Sequence, residues 1–278
     1  MSHTADHRRG PDRRKLARGG RRTGDPAGFA PLVLLVGTLL FARTLQTTLG
    51  GELGFDPRHV AYAATNVSLQ RYDGPRAATF YEDVLGRVRS MTGVVAAGWT
   101  RLIPSGDRDT ETVRVPGYVS PTARSPIVSV NVVTAGYFEA MGVSIVRGRA
   151  FTDDDGRSAR PVVIVNEAAA RIFWKGDALG RRFSIDNTDV TVVGIARDVP
   201  PEPGAIAGPF VYGNALQQIG GALGTMHLVV RTQAAPAATV SALTAAIHAV
   251  APAVPVLEAR TMDEQLMDLL GAQRSADT

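Results

Sequence analysis

Residues 60–100 read V-A-Y-A-A-T-N-V-S-L-Q-R-Y-D-G-P-R-A-A-T-F-Y-E-D-V-L-G-R-V-R-S-M-T-G-V-V-A-A-G-W-T, and their apolar period changes twice. Val60–Leu69 has the length and β-branched content of a strand, and Tyr72–Pro75 is typical of a turn. The apolar residues that follow recur at helical spacing: Phe80, Val84, Val88 and Met91. Val94–Thr100 then predicts a second strand. The stretch therefore predicts a strand–helix–strand unit.

A second unit of the same kind lies near the C-terminal end of the sequence. Met226–Arg231 predicts a strand, Pro236 opens a helical segment, and Val254–Leu257 predicts a closing strand. The apolar face of that helix consists of Val240, Leu243, Ile247 and Val250. Two units that each bury a helix stripe on strands predict a ferredoxin-like α+β layer. We assign residues 52–104 and 208–266 to this layer.

The middle of the chain, residues 105–207, is richer in strand patterns, and we expect it to form an inserted β-rich subdomain. Its predicted strands are Thr112–Tyr118, Val128–Val133, Val143–Arg147, Val162–Val165, Arg182–Ile185 and Val190–Ile195. One helix is predicted to continue to Trp174, with Asn166 as its N-cap and Glu167 in the first turn, where a carboxylate stabilises the positive helix end. Pro200–Gly204 is typical of a loop.

An uncharged run at residues 27–42 follows an Arg-rich stretch at residues 1–26. At about 1.5 Å per residue this run is shorter than the ~30 Å hydrocarbon core, but residues 27–49 suffice if Arg43 reaches the interface. A cleaved signal peptide and a buried core helix are the alternatives, and the best cleavage site, Thr48–Gly50, is weak. We expect one N-terminal transmembrane helix at residues 27–49. The positive-inside bias then places residues 1–26 in the cytoplasm as a basic, disordered tail.

The formal charge of +4 is concentrated in that tail, which holds eight of the 30 basic residues and three of the 26 acidic residues. The rest of the chain carries 22 basic and 23 acidic residues, a net charge of −1. A nearly neutral body offers no electrostatic surface for a phosphate backbone, so we expect no nucleic-acid partner. The absence of cysteine excludes disulfides, thiolate nucleophiles and cysteine zinc sites.

Catalytic signatures are missing from the sequence. The two lysines, Lys15 and Lys175, do not complete a phosphate-binding G-x-x-x-x-G-K-[ST] loop. Gly220–Gly224 lacks the flanking strand and helix of a dinucleotide site, and no G-x-S-x-G nucleophile motif is present. We therefore predict that the chain is not an enzyme and has no catalytic or cofactor-binding residue. An extracytoplasmic hydrolase that uses the aspartates near Asp154 is the weakest alternative.

Several polar and aromatic clusters have both a structural and a ligand-binding interpretation. Asp153–Asp155 resembles a cation site, but its spacing lacks the alternation of a calcium loop, which favours a solvated turn. The histidines are scattered without metal-ligand pairing: His3, His7, His59, His227 and His248. We predict no metal site. Tyr137-Phe138 and Phe173-Trp174 are candidates for stacking on a ligand, and core packing is the favoured interpretation.

A series of short phrases occurs in an order that resembles a known domain family. The phrases are Leu34–Arg43, Gly54–Pro57, Tyr81–Gly93, Gly136–Gly142, Arg147–Phe151, Val165–Ala168, Leu179–Arg182 and Val192–Ile195. Over about residues 34–274 the chain resembles the MacB-like periplasmic core domain of ABC transporter permeases, of the FtsX-like or duplicated orphan permease type. The resemblance implies a porter-type subdomain of strand–helix–strand units with an inserted β-rich subdomain, in agreement with the residue patterns.

By resemblance, a separate ABC ATPase subunit drives the permease, and the periplasmic domain transmits that motion to substrate or partner proteins. The resemblance is also compatible with a periplasmic adaptor as a partner and with a dimer of the chain. It implies the bacterial inner membrane, with the lipid bilayer as a partner and the main domain, residues 52–270, in the periplasm.

Two further expectations concern how complete the protein is. Family members continue past the equivalent of Gln273-Arg274 into further transmembrane helices, so we expect a truncated product or a fragment. The alternative function is a membrane-anchored periplasmic binding or adaptor module without transport activity.

Overall fold

The computed structural model describes residues 53–104, 108–122, 124–201, 205–217 and 224–276. The predicted tail at residues 1–26 and the predicted transmembrane helix at residues 27–49 lie outside these ranges, as does most of the glycine-rich stretch at residues 220–224. Within the described ranges, no helix is both long enough and apolar enough to cross a bilayer.

The described residues form eleven strands and five α-helices. The strands are β1 (Val60–Asn66), β2 (Val94–Thr100), β3 (Asp109–Arg114), β4 (Ile127–Val133), β5 (Ile145–Gly148), β6 (Val162–Asn166), β7 (Arg182–Ile185), β8 (Thr188–Ala196), β9 (Phe210–Asn214), β10 (Thr225–Thr232) and β11 (Val256–Thr261). The helices are α1 (Gly74–Arg89), α2 (Tyr137–Met141), α3 (Glu167–Trp174), α4 (Ala237–Val250) and α5 (Met262–Ala276).

Both predicted strand–helix–strand units are present. Helix α1 begins where the Asp73 side chain accepts a hydrogen bond of 2.9 Å from the Arg76 amide. Phe80, Val84 and Val88 are buried on one face of this helix, as their spacing predicts. In the second unit, α4 follows β10 and precedes β11, and Leu243 and Ile247 are buried. The helical period is therefore a correct guide to which side of each helix faces the sheet.

Several predicted strands have wrong boundaries: Val143–Arg147 is observed at Ile145–Gly148, and Val254–Leu257 at Val256–Thr261. Two others have a local explanation. The strand predicted at Val60–Leu69 stops at Asn66, because the Asn66 side chain accepts a hydrogen bond of 3.0 Å from the Ser68 amide and starts a 3-10 turn. The strand predicted at Thr112–Tyr118 instead runs over Asp109–Arg114. It is followed by a turn in which the Tyr118 amide donates to the Val115 carbonyl oxygen at 3.2 Å.

The strand order shows how the two units interlock. Strands β11, β1, β10 and β2 lie side by side in this order, and every neighbouring pair is antiparallel. Each helical crossover therefore connects two strands that are separated by one strand of the other unit, as in a ferredoxin-like split β-α-β arrangement. The α+β class that the sequence predicts is confirmed.

The two faces of these strands carry different partners. Ala61 and Ala63 of β1 lie in a buried cluster with the apolar residues of α1 and α4. Trp99 is fully buried in the same cluster, and its indole nitrogen donates a hydrogen bond of 3.0 Å to the Tyr81 carbonyl oxygen. Because side chains alternate along a strand, Val60 and Tyr62 face the opposite side and belong to a second cluster.

The remaining strands continue the same sheet. Strand β2 meets β4 where Thr100 lies opposite Val133, and the order then runs β4-β3-β7-β8-β6-β9, with β5 paired to β8. Strand β9 lies inside residues 208–266, yet it pairs in parallel with β4 and antiparallel with β6. This pairing favours a boundary between the two subdomains after Asn214 rather than at residue 207, and the division into subdomains remains a proposal.

The predicted helix of the middle region is confirmed as α3, and its cap also holds β9. The Asn166 side-chain oxygen accepts hydrogen bonds of 2.9 Å from the amides of Ala169 and Phe210. One carboxamide thus caps the helix and fixes the first residue of a strand that lies 44 residues further along the chain. A third buried cluster, formed by α3 and the strands of this half, completes the core.

Candidate functional site

The acidic cluster at Asp153–Asp155 is a closed turn. Asp155 is 5% exposed, and its carboxylate accepts hydrogen bonds of 2.6 and 2.8 Å from the two Nη atoms of Arg149. This bidentate contact, aided by the Thr152 amide at 2.9 Å, holds the pKa of Asp155 below its usual value. The expected solvated turn is present at Asp153 and Asp154, which are exposed, whereas the carboxylate of Asp155 is buried against a half-exposed Arg149. In the described ranges, no three His, Asp or Glu side chains converge on a metal position.

Two of the three histidines in the described residues contact backbone carbonyl oxygens. The ring of His227 on β10 lies 3.1 Å from the Arg101 carbonyl oxygen, and burial lowers its pKa. His59 contacts the Ala234 carbonyl oxygen at 3.1 Å, and His248 is exposed on α4. His3 and His7 lie outside the described residues. These positions favour a structural role.

The segment that enters the domain, Leu53–Arg58, is held tightly against the fold. Leu53 and Phe55 are buried in the second cluster, together with Val60 and Tyr62 of β1. Gly54 has a φ of +71°, and a Cβ at this position would lie 2.2 Å from the Asp198 carbonyl oxygen. Glycine is required here because the backbone both adopts a left-handed conformation and passes directly against the loop after β8. The entry segment therefore contacts the β-rich half as well as the ferredoxin-like half.

Arg231 of β10 joins the entry segment to helix α2. Its guanidinium donates hydrogen bonds to four carbonyl oxygens: Asp56 at 2.7 Å, Arg58 at 3.0 Å, Ala140 at 3.0 Å and Glu139 at 3.3 Å. The side chain is 16% exposed, so these bonds are shielded from water. One side chain thus satisfies carbonyl groups from two separate segments.

The carboxylate of Asp56 strengthens the same arrangement. It lies 2.9 Å from Arg58 Nε and 3.5 Å from Arg231 Nη1. Burial alone would raise the pKa of Asp56, but the hydrogen bonds from Arg58 and the charges of Arg58 and Arg231 lower it. Gly142, at the end of α2, leaves the necessary space, because a Cβ there would lie 3.0 Å from Asp56 Cβ and 3.1 Å from Arg231 Nη2.

Helix α5 attaches to the same side of the sheet. Thr261 and Glu264 form a reciprocal capping box: the Thr261 amide donates to Glu264 at 2.9 Å, and the Glu264 amide donates to Thr261 at 3.2 Å. Met262 is fully buried in the second cluster, and Leu266 packs against that cluster. The first turn of α5 is therefore anchored by both capping and burial.

A polar network ties α5 to strands β1 and β11. Arg260 Nε donates to the Tyr62 hydroxyl at 2.9 Å, and that hydroxyl donates to the Gln265 side-chain oxygen at 3.0 Å. Arg260 also donates to Gln265 and, at 2.6 Å, to Asp268. Burial raises the pKa of Tyr62 to about 12, so the phenol stays protonated and can donate.

We call this assembly the junction. It consists of Leu53–Arg58, helix α2, Arg231, Arg260 and the turns of α5 from Met262 to Asp268. Its apolar members share one cluster with Ile164 and Tyr212 of the β-rich half. The entry segment and α5 therefore share packed contacts with both halves of the sheet.

The family comparison identifies this architecture. The model of the MacB-like periplasmic core domain matches residues 33–250, more than half of the chain. The chain belongs to this family. The resemblance seen in the short sequence phrases is thereby confirmed, and the main body is a MacB-like periplasmic core domain. This family consists of parts of ABC transporter permeases rather than enzymes.

A solved structure supports the MacB-like fold. The periplasmic region of MacB from Actinobacillus actinomycetemcomitans matches with a TM-score of 0.51 at 13% identity, over 78% of this chain and 94% of that chain. The extracellular domain of the noncanonic ABC-type transporter YknZ from Gram-positive bacteria is also similar, with a TM-score of 0.45 at 16% identity, over 71% of this chain and 100% of that chain. No curated protein sequence matches.

The junction gives physical reasons for two phrases of the MacB-like sequence pattern. In Gly54–Pro57, Gly54 allows the close backbone approach, Phe55 is buried, and Asp56 forms the ion pair with Arg58. Gly136–Gly142 contains helix α2. Sequence reasoning missed Arg231 and Arg260, because a lone arginine in a strand has no recognisable signature. The spacing Thr261-x-x-Glu264 is a capping-box signal that could have indicated α5.

Proposed function

We propose that this domain is the periplasmic part of an ABC transporter permease subunit and that it transmits ATPase-driven motion to substrate or partner proteins. The observation that supports this proposal is the junction, in which the entry segment and α5 share one apolar cluster with both halves of the sheet. The proposed transmembrane helix at residues 27–49 ends four residues before Leu53. Only residues 50–52 separate that proposed helix from the junction, so we expect motion of the helix to be passed on to the junction.

The junction suits transmission because its contacts resist deformation in several directions. Arg231 binds carbonyl oxygens of the entry segment and of α2, and Arg260 binds side chains of α5. Packed clusters of this kind move as units, because separating their side chains exposes apolar surface and unpaired polar groups. The role is mechanical and needs no reacting group.

The proposed orientation places residues 1–26 in the cytoplasm and the described body in the periplasm, on the far side of the bacterial inner membrane. A separate ABC ATPase would supply the energy, and a periplasmic adaptor or a second copy of the chain would be the partner on the far side. The family relationship supports the ATPase partner and the extracytoplasmic location.

A fluorescence experiment tests the transmission of motion. The sequence contains no cysteine, so Val119→Cys, at a position 88% exposed, provides a single dye site in the full chain. The chain is reconstituted with the ABC ATPase in vesicles containing acceptor-labelled lipid, and energy transfer reports the position of the domain relative to the bilayer. We expect the transfer efficiency to change on trapping with ATP and vanadate, and to stay constant with a hydrolysis-deficient ATPase.

Variants of the junction distinguish loss of the transmitted motion from loss of the complex with the ATPase. Arg231→Met should retain ATP hydrolysis but lose the change in transfer efficiency, whereas Arg181→Met, at an exposed arginine paired with Asp177, should behave like the wild type. If the ATPase is active and the transfer efficiency is the same with and without ATP and vanadate, the proposal is contradicted. Capture of a periplasmic protein without any ATPase dependence would instead favour the adaptor module.

A further inference from the structure

A cavity of about 70 Å³ lies against the parallel pair of strands β4 and β9. Most of its wall is apolar or aromatic and includes Ile103, Tyr137, Val199, Phe210 and Tyr212. Arg231 and Arg260 do not line the cavity, whereas Tyr137 of the junction helix α2 does. A space of this size accommodates roughly five to seven water-sized groups, which corresponds to one small ring or a branched alkyl group.

The hydroxyl of Tyr212 is an unpartnered polar group in this cavity. Tyr212 is 3% exposed and lines the cavity, and its hydroxyl makes no hydrogen bond to any residue that the structure describes. Asn131, the neighbouring polar residue in the wall, is fully engaged: it donates to Thr100 and to the Leu102 carbonyl oxygen at 2.9 Å, and it accepts from the Leu102 amide at 3.0 Å. The hydroxyl is not among the fully buried unpaired groups, so it keeps access to the cavity space and is free to donate a hydrogen bond to an occupant.

A positive charge lies in the wall of the same cavity. Arg108 is exposed and takes part in no ion pair with the described residues. The neighbouring acid, Asp109, is occupied by Arg101 at 2.7 Å. The carboxylate of Asp198, which influences Tyr212 electrostatically, accepts hydrogen bonds from the Ala168 amide at 2.8 Å and from Arg171 at 3.1 Å. Among the residues that the structure describes, Arg108 therefore has no carboxylate partner, and Asp109 and Asp198 already have partners of their own.

We infer that this cavity binds a small carboxylate with a compact aromatic or branched-alkyl body. The aromatic wall takes the apolar body, and Tyr212 and Arg108 supply hydrogen-bond donors to the carboxylate oxygens. Burial raises the pKa of Tyr212 well above its usual value, so the phenol is a donor at neutral pH. The inference is independent of the proposed transport role.

The test is a fluorine NMR titration of the full chain in nanodiscs with 4-fluorobenzoate, with empty nanodiscs as the reference for lipid partitioning. Neither nucleotide nor ATPase is present, so the result does not depend on transmission of motion. We expect saturable binding that Tyr212→Phe weakens roughly three- to tenfold, the equivalent of one hydrogen bond. Thermal unfolding of this variant should be no lower than that of the wild type, because the lost hydroxyl has no partner to leave behind.

Charge recognition has its own matched pair of variants. Arg108→Gln should weaken 4-fluorobenzoate binding by a similar factor but leave the binding of uncharged 4-fluorobenzyl alcohol unchanged. Arg114→Gln, which changes an arginine of the same strand region outside the cavity, should bind both compounds like the wild type.

Three results would overturn the inference. The first is the absence of saturable binding, and the second is unchanged 4-fluorobenzoate affinity in both Tyr212→Phe and Arg108→Gln. The third uses Gly-Gly-Phe, which carries the same carboxylate and ring chemistry on a peptide. If this tripeptide binds more tightly than 4-fluorobenzoate, the site belongs to a polypeptide C-terminus rather than to a small molecule.

Discussion

Arg231 Nη2 donates a hydrogen bond of 2.7 Å to the carbonyl oxygen of Asp56, a residue 175 positions earlier in the chain. The bond joins strand β10 to the segment that enters the domain. The same guanidinium bonds Arg58 and Ala140, so its loss leaves several largely buried carbonyl groups without a donor.

We therefore expect Arg231→Met to lower the free energy of unfolding by about 2–4 kcal/mol. Arg231→Lys should recover less than half of this loss, because an ammonium group cannot reach acceptors spread around a planar guanidinium. Denaturant unfolding of the full chain, followed by the fluorescence of buried Trp99, measures both. Arg181→Met is the control and should change stability by less than about 0.5 kcal/mol. A lysine variant as stable as the wild type would show that the charge alone suffices.

Gly54→Ala tests the close approach of the entry segment. The new Cβ would lie 2.2 Å from the Asp198 carbonyl oxygen, and the backbone has a φ of +71°. Gly93→Ala is a matched control with a φ of +84°, and its new Cβ would have no atom within 4 Å. The control should cost about 1 kcal/mol for its backbone conformation, and Gly54→Ala at least about 2 kcal/mol more. Equal losses in thermal unfolding would argue against the contact.

Two tyrosines should respond oppositely to loss of their hydroxyl groups. The Tyr81 hydroxyl is buried without a hydrogen-bond partner among the described residues, so Tyr81→Phe should leave stability unchanged or raise it by up to about 1 kcal/mol. Tyr62→Phe removes the bonds to Arg260 and Gln265 and should cost about 1–2 kcal/mol. Both values come from chemical denaturation at neutral pH. A loss for Tyr81→Phe as large as that for Tyr62→Phe would contradict the assigned network.

Stability should fall as the pH drops below about 6.5, the ordinary pKa of histidine. Burial lowers the pKa of His227 in the folded protein, so the unfolded chain binds more protons as the pH falls through this range. Folding free energies at pH 7.5 and 5.5 should therefore differ, and His227→Gln should reduce the difference. His248→Gln, at an exposed position on α4, is the control. If the pH dependence of the folding free energy is unchanged in His227→Gln, it arises from titratable groups other than His227.

Much of the fold was accessible from local patterns. The period of Phe80, Val84 and Val88 correctly indicated the buried face of α1, and Asn166 was correctly identified as the N-cap of α3. These features are local, because neighbouring residues alone determine periodicity and capping. Helix α2 escaped prediction since Tyr137–Met141 is too short to show a period.

The pairing of strand β9 and the two candidate sites could not be predicted from local sequence patterns. Phe210–Asn214 pairs with β4 and β6, strands far from it in sequence, and no pattern within five residues indicates a partner. The aromatic pair Tyr137-Phe138 was correctly assigned to the core, but the cavity beside Tyr137 depends on Tyr212 and Ile103 as well. A cavity is a property of several chain segments at once, and only their mutual placement reveals it.

The amino-acid order of the chain was sufficient to specify two strand–helix–strand units and the family resemblance, because hydrophobic period and short motifs are encoded between near neighbours. Folding in three dimensions was needed to bring Arg231 to Asp56 and Arg260 to Tyr62, and to leave Tyr212 facing a cavity. The physical reason is that hydrogen bonding and burial depend on distances in space. Those distances are set by the packing of the whole sheet and not by separation along the chain.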